Sequence, residues 1–325
     1  MRLTFLGTAA GLPSKHRNVS ATILARDDSK EWCLVDCGEG TQHQLLYSRY
    51  SLHNLQGIFI THVHGDHMFG LPGLLTSASM QGRTAPLTIC APEGVESFVR
   101  NALQCAAVTH LPYELHFVAS DNESFQFLTS DFEVSAHELS HRVPCYAYAF
   151  KEHPLPGELS LAKLHTLNVP RGPLWGQLHQ GQSITLTDGT VIHAKDVHKD
   201  SAEPRVVIIA GDNDRPAILH DIMTRADLLV HEATFSTPVR EKVGDKWMHS
   251  TPRQVGEAAE AAGLKHVILS HFSNRYPTHP KPNQTGISDL RKEAQDVYSG
   301  TVTMAKDHGC WELRRDRKLV EIENS

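Results

Sequence analysis

Short apolar runs recur along the chain, and each gives way at once to polar or ligand-type residues. Trp32-Cys33-Leu34-Val35 leads into Asp36-Cys37-Gly38-Glu39-Gly40, and Ile58-Phe59-Ile60 leads into Thr61-His62-Val63-His64-Gly65-Asp66-His67. Val206 to Gly211 runs into Asp212, Leu228-Leu229-Val230 into His231-Glu232, and Val267 to Ser270 into His271. Short runs rich in β-branched residues predict buried strands. Five such strands would deliver reactive side chains where the backbone leaves a sheet, which is a rigid support for an active-site edge. Met1 to Gly7 carries a shorter run ahead of Pro13 and reads as the first strand, not a signal peptide.

Helical segments lie between the strands. In the clearest, Thr251 is the expected N-cap, Gln254 completes a capping box, Pro252 takes the first helical position and Gly263 stops a helix running to Ala262. Strands alternating with helices predict an α/β architecture. One stretch breaks the scheme. From Glu152 to Gly181 the chain carries Pro154, Pro156, Gly157, Pro170, Gly172, Pro173, Gly176 and Gly181, with a short helix possible from Glu158 to Leu167. A long insertion framed by such breakers is a surface segment, often a functional one. Its Lys151, Lys163, His165 and Arg171 suit a polyanion.

The His62 to His67 cluster carries the chemistry. Imidazole and carboxylate donors together suit zinc or a similar borderline metal. His62 and His64 are two residues apart, so on extended backbone both point to one side. Asp66 and His67 are adjacent, so their side chains diverge, and the spacing suggests two neighbouring ions, one per pair. Such a pair needs more donors. His141, Asp212 and His271 each stand beside a predicted strand end or turn, and Asp212 could bridge with its two oxygens. Among the 22 histidines, spacing alone leaves His141 open against His137 and His110.

Composition narrows the class. The 325 residues, 40% apolar and 21% charged, fit a globular chain able to bury a large core. No run approaches the ~20 apolar residues of a membrane span. The six cysteines lack any Cys-x-x-Cys pairing, which points to core packing and a reducing, cytoplasmic setting. The formal charge of −6 leaves room for a nucleic-acid partner only through a localised basic surface.

On these motifs the chain resembles the metallo-β-lactamase superfamily, and within it the ribonuclease Z family of tRNA 3′-processing endonucleases. The resemblance covers nearly the whole length. It rests on Gly7-Thr8-Ala9-Ala10-Gly11, the Asp36 segment, the histidine cluster, Gly70-Leu71-Pro72-Gly73, His231-Glu232-Ala233-Thr234, His249-Ser250-Thr251 and Ser270-His271. The cluster alone marks the superfamily; the Asp36, His231 and His249 segments narrow it.

The resemblance implies a four-layer αββα sandwich forming a single domain over 1–325, with a protruding arm at 152–181 that grips tRNA. It implies two Zn2+ per subunit, with Mn2+ or another divalent ion as a substitute. One ion would be held by His62, His64 and His141, the other by Asp66, His67 and His271, with Asp212 between them and Asp36 behind. Asp66, Glu232 and His249 would be catalytic. Water would attack the phosphodiester of a tRNA precursor and a 3′-hydroxyl would be left. Lys15, Arg17, Arg171, Ser273 and Arg275 are the expected RNA contacts, and a homodimer is expected. The family commonly has Gly-Asp-Thr where this chain has Gly211-Asp212-Asn213. Rival readings are a metallo-hydrolase of small esters, thioesters or phosphodiesters, which has no use for the arm or a Glu232–His249 acid, and a metal-stabilised RNA-binding protein.

Overall fold

The computed structural model describes residues 1–323 other than 28, 123–124, 154–158, 180 and 198–202. Residues 1–151 and 205–325 form one compact unit and Glu152–Pro204 a second.

The first unit is built on two sheets. The eight-stranded sheet runs in the order Leu319–Ile322, Cys310–Leu313, Arg2–Gly7, Ala21–Ala25, Trp32–Val35, Leu55–Phe59, Leu87–Ala91, Leu115–Ala119, and its last four strands are parallel. The seven-stranded sheet runs Thr301–Met304, His266–Ser270, Leu228–Glu232, Val206–Ala210, Tyr146–Glu152, Phe132–Glu138, Gln126–Leu128, and its first four strands are parallel.

Strand periodicity sorts the core into layers. Cys33 and Val35 join a large core with Phe5, Phe59 and Tyr148, whereas Trp32 and Leu34 join another with Leu71, Leu75 and Val99. Alternate residues of one strand face opposite sides of a sheet. The helices Leu71–Met80 and Val95–Cys105 therefore cover the outer face of the first sheet, and its inner face meets the second sheet. Val255 and Ala259 of Pro252–Ala261, with Leu290 and Ala294 of Ile287–Gln295, pack in the large core with Leu229 and Ile268 of the second sheet. The layers run helix, sheet, sheet, helix, as in the expected αββα sandwich. The helix after Thr251 starts as the sequence predicts. The Gln254 amide N–H donates to Thr251 Oγ1 at 3.2 Å, the Thr251 N–H donates to Gln254 Oε1 at 2.9 Å, and Gly263 takes a left-handed φ of 65° past the end.

Both parallel blocks end at the same edge of the sandwich. The Tyr146 N–H donates to the Thr61 carbonyl at 3.0 Å, and the Gly211 N–H donates to the Tyr146 carbonyl at 3.2 Å. The loops after Phe59, Ala210, Glu232 and Ser270 are thus brought together at the carboxyl ends of the strands, where open α/β sheets place their ligands.

The second unit has a small core of its own, with Leu164, Val169, Leu178, Ile184, Ile192, Ala194 and Val197. It contains the helices Leu161–Thr166, Pro173–His179 and Ala194–Val197 and the hairpin Ile184–Thr185 with Val191–Ile192. The insertion expected over 152–181 ends inside this unit, which continues to Pro204. The physical reason is that Ile184, Ile192 and Val197 complete the core begun by Leu164 and Leu178. Helix formation within the expected 158–167 span begins only after Ser160, whose Oγ accepts from the Lys163 N–H at 3.3 Å. Pro154, Pro156, Gly157 and Glu158 lie outside the described residues.

Candidate metal centre

The seven side chains picked out from the sequence converge at the shared edge. His62 and His64 follow the strand Leu55–Phe59, His64 on extended backbone, while Asp66 and His67 sit on the single turn Gly65–Met68. Asp212 follows Val206–Ala210, His271 follows His266–Ser270 in a left-handed backbone (φ 54°), and His141 stands in the turn before Tyr146–Glu152. Glycine makes the close approach possible. A Cβ on Gly211 would lie 2.6 Å from Thr61 Cβ and 2.7 Å from Cys145 Sγ, and one on Gly38 would lie 2.3 Å from the Asp66 carbonyl oxygen.

The donor atoms form two groups that share a wall, and Asp212, His271 and His249 make a third that overlaps both. His64 Nδ1 and His141 Nε2 are 3.3 Å apart, and His62 Nε2 and His141 Nε2 lie 3.6 and 3.8 Å from Asp212 Oδ2. In the other group His67 Nε2 is 3.3 Å from His271 Nε2, and Asp66 Oδ2 is 3.5 and 3.3 Å from those two nitrogens. Asp212 Oδ1 faces this second group, 3.7 Å from His67 Nε2. Ligand atoms ~2.0–2.1 Å from one tetrahedral ion stand ~3.3–3.4 Å apart. The observed spacings fit such an ion in each group, with one Asp212 oxygen turned to each. Two buried atoms in the cluster, His62 Nε2 and Asp212 Oδ1, have no hydrogen-bond partner. Buried polar atoms are normally satisfied, so a cation explains them. The chemistry and spacing of this His/Asp cluster point to binding of a divalent metal.

A second ring of residues sets which nitrogen of each imidazole is free. Asp36 Oδ2 takes His67 Nδ1 at 2.7 Å, and Thr61 Oγ1 donates to the same carboxylate at 3.0 Å. A hydroxyl has one proton to give. Thr61 Oγ1 must therefore accept from His62 Nδ1, 3.0 Å away, and His62 Nε2 is left with its lone pair toward the cluster. The same logic recurs across the site. Thr234 Oγ1 donates to Glu232 Oε2 at 2.5 Å and so accepts from His271 Nδ1 at 2.9 Å. His141 Nδ1 donates to the Met248 carbonyl at 3.0 Å. Such outer partners fix ring orientation and raise ligand basicity. Asp36 was expected behind the metals, but Thr61, Thr234 and Met248 were not singled out. For the two threonines the signal is a hydroxyl one or two residues from a ligand or acid at a strand end; the Met248 carbonyl has no such signal.

Glu232 and His249 form a separate buried pair. Glu232 Oε1 is 2.9 Å from His249 Nδ1 and accepts from the amides of Asn213 and Ser250, both at 3.1 Å. Burial alone would lower the His249 pKa, yet Glu232 and Asp212 outweigh it and hold it at about 9. Burial opposes charge at Glu232 too, but His249 keeps its carboxyl well below the usual range. Burial together with neighbouring imidazoles holds His62 well below its ordinary value. His67 behaves in the opposite way, because Asp36, Asp66 and Asp212 overcome its burial and keep it well above. Asn213, in place of the threonine common in the family, is fully buried. Its Oδ1 accepts from the Ser140 N–H at 3.2 Å and its Nδ2 donates to His231 Nε2 at 3.0 Å.

The expected RNA contacts are dispersed. Lys15 is exposed on the loop after Gly11. Arg17 is half-buried, stacked 4.9 Å over Phe272 and donating to Thr8 Oγ1 at 3.2 Å, so it braces this loop. Arg275 is exposed, lies 5.7 Å over Phe235 and donates to Ser273 Oγ at 3.3 Å. Arg17, Ser14 and His16 face Asn274 and Tyr276 across a cleft of about 440 Å³. Arg171 belongs to the second unit, 5.5 Å over Trp175. A larger cavity of about 890 Å³ between Thr84 and Leu115 contains none of these residues.

Comparison with known proteins agrees with this geometry. The family described as anti-Pycsar protein Apyc1 matches residues 1–151, less than half of the chain. A metallo-β-lactamase fold protein from Bacillus subtilis superposes with a TM-score of 0.64 at 20% identity, covering 95% of this chain and 98% of that one. The human tRNase Z short form superposes with a TM-score of 0.64 at 27% identity, covering 97% of this chain and all of that one. Ribonuclease Z of Pseudomonas putida is 45% identical over 322 residues, 99% of this chain and 100% of its own. An identity of that size sustained from end to end means that this chain belongs to the ribonuclease Z family.

Proposed function

We propose that the protein is a zinc-dependent endoribonuclease that removes 3′ extensions from tRNA precursors. The observation that carries the reading is the pairing of two ion-sized donor groups with a buried Glu232–His249 acid. The end-to-end likeness to proteins named ribonuclease Z supports the RNA substrate. A small-ester hydrolase would need the donors but no acid for a poor leaving group.

His62, His64 and His141 would hold one zinc and Asp66, His67 and His271 the other, with Asp212 within reach of both groups. Zinc bound there supplies an activated water at neutral pH and positive charge against the phosphoryl oxygens. The residues do the rest. Asp66, steadied by the Gly11 N–H at 2.8 Å, orients the attacking water. Its carboxyl is held far below the usual range by His67 and His271 despite burial, so it stays ionised and accepts a hydrogen bond from that water. His249 protonates the departing 3′ oxygen, and Glu232 keeps the ring charged and aimed until then. The cut leaves a 3′-hydroxyl on the upstream RNA.

Lys15, Arg17, Ser273 and Arg275 serve the acceptor end of the RNA, and Arg171 with the rest of Glu152–Pro204 serves a more distant part of the tRNA. We assign a homodimer too, since Leu46, Tyr47, Phe69 and Met80 on neighbouring segments are 55–90% exposed and such apolar surface suits a partner. Among the described residues no helix is long and apolar enough to cross a membrane. The six cysteines are free thiols, which supports a reducing cytoplasm as the working compartment. The deciding experiment is incubation of the purified protein with an end-labelled, 3′-extended tRNA transcript. We expect a single internal cut with a 3′-hydroxyl, abolished by chelator and restored by zinc or manganese. Full-rate cutting in chelator would falsify the reading.

A further inference from the structure

One aromatic side chain beside the site has no role in what precedes. Trp247 is 41% exposed, although large apolar side chains in this protein are mostly buried. It lies one residue before Met248, whose carbonyl holds His141, and two before His249. Met248 is in left-handed backbone (φ 51°, ψ 56°), and this kink turns the chain between the indole and the acid. The His141–Met248 hydrogen bond ties the two segments together and sets Arg142, next to His141, against Trp247.

Two cations attend the indole. The Arg142 guanidinium carbon and Lys246 Nζ each lie 5.3 Å from the Trp247 ring, and both side chains are exposed. Among the described residues neither has a carboxylate partner; the neighbouring Asp245 is taken by Arg240 at 2.5 Å. Arginine and lysine on a chain of formal charge −6 would ordinarily find acids. Here an exposed ring holds them, a weak contact that a phosphate displaces readily. An exposed aromatic face with unpaired cations is how proteins grip one unstacked nucleotide, base on the ring and phosphate on the cation.

We propose that Trp247 stacks the base of the nucleotide that supplies the leaving 3′ oxygen, while Arg142 and Lys246 take the phosphate on its 5′ side. The assignment of side rests on the proposed function, in which His249 protonates that oxygen. The subsite would hold the last nucleotide of the product in register with the acid, independent of its base identity, since every base offers a stacking face.

The test is a two-by-two comparison. Wild type and Trp247→Ala are each given a 3′-extended tRNA carrying either a normal base or an abasic residue immediately 5′ of the cut. Equilibrium binding is measured with a methylphosphonate at the scissile linkage, and kcat/KM with the natural linkage. For wild type we expect the abasic residue to weaken binding by roughly tenfold or more, and Trp247→Ala to show little sensitivity to it. Trp247→Phe, which keeps a smaller ring, should fall between and guards against a variant that misfolds. Arg142→Ala should lower the slope of log affinity against log salt by about one. Undiminished abasic sensitivity in both Trp247 variants would overturn the subsite. Failure of wild type to cut the natural transcript would instead overturn the underlying function, while the binding comparison would still judge the stack.

Discussion

At the scale of single residues, the site is governed by where protons sit. Thr61 and Thr234 each join a carboxylate to an imidazole through one hydroxyl. Replacing Thr234 with valine keeps the shape and removes the acceptor that holds His271 Nδ1–H. We expect metal affinity to fall about 10- to 100-fold, the usual cost of losing such a partner, as measured by competitive metal titration. His249 offers a pH signature. Its pKa in the folded, metal-free protein is raised to about 9 by Glu232 and Asp212 acting against burial, above the ordinary ~6.5. A raised imidazolium contributes stability that is complete below the unfolded value and disappears as pH climbs through the folded one. NMR titration in chelator should find this ring protonated well above neutrality, and Glu232→Gln should return it toward the ordinary range. An unshifted ring in the wild type would remove the pair's proposed function.

At the scale of elements, the second unit enters the chain at a hairpin. Lys151 pairs with Val206 across adjacent antiparallel strands, so its two connections leave from neighbouring backbone positions. A short turn could close that gap without disturbing the strands. The unit also has an apolar core of its own. We expect replacement of residues 152–204 by a Gly-containing turn to preserve hydrolysis of bis(p-nitrophenyl) phosphate. The same change should weaken tRNA binding at least tenfold in a filter-binding assay. Equal loss of both activities would show that the unit supports the catalytic edge instead of the RNA.

At the scale of the molecule, the donor cluster ties metal binding to the stability of the sandwich. Imidazoles and carboxylates are packed at 3.3–3.8 Å with buried atoms left unsatisfied, a geometry that tertiary packing must hold against desolvation. An ion that binds only the folded state stabilises it by about 2.7 kcal/mol at a hundred times its dissociation constant. Chelation should therefore lower the calorimetric Tm by several degrees, and stoichiometric zinc should restore it. A Tm indifferent to chelator would argue that the cluster is empty in the working protein.

Much of this was legible in the residues themselves. The strand runs, the capping box at Thr251, the histidine cluster and its two-residue spacing follow from local backbone periodicity, which needs no tertiary information. That is also why Asp36, Asp212 and His271 could be singled out: each directly follows a run that can only be a strand. Spacing could not choose His141 over His137, because that choice depends on a turn returning across the sheet edge to meet Met248. The bracing of Arg17 on Phe272, the extension of the second unit to Pro204 and the hydroxyl relays through Thr61 and Thr234 were equally hidden. Each depends on contacts between segments far apart in the chain. Local sequence determined which donors were available and on what kind of element. Only the folded structure decided which of them meet, and which nitrogen each imidazole turns toward the others.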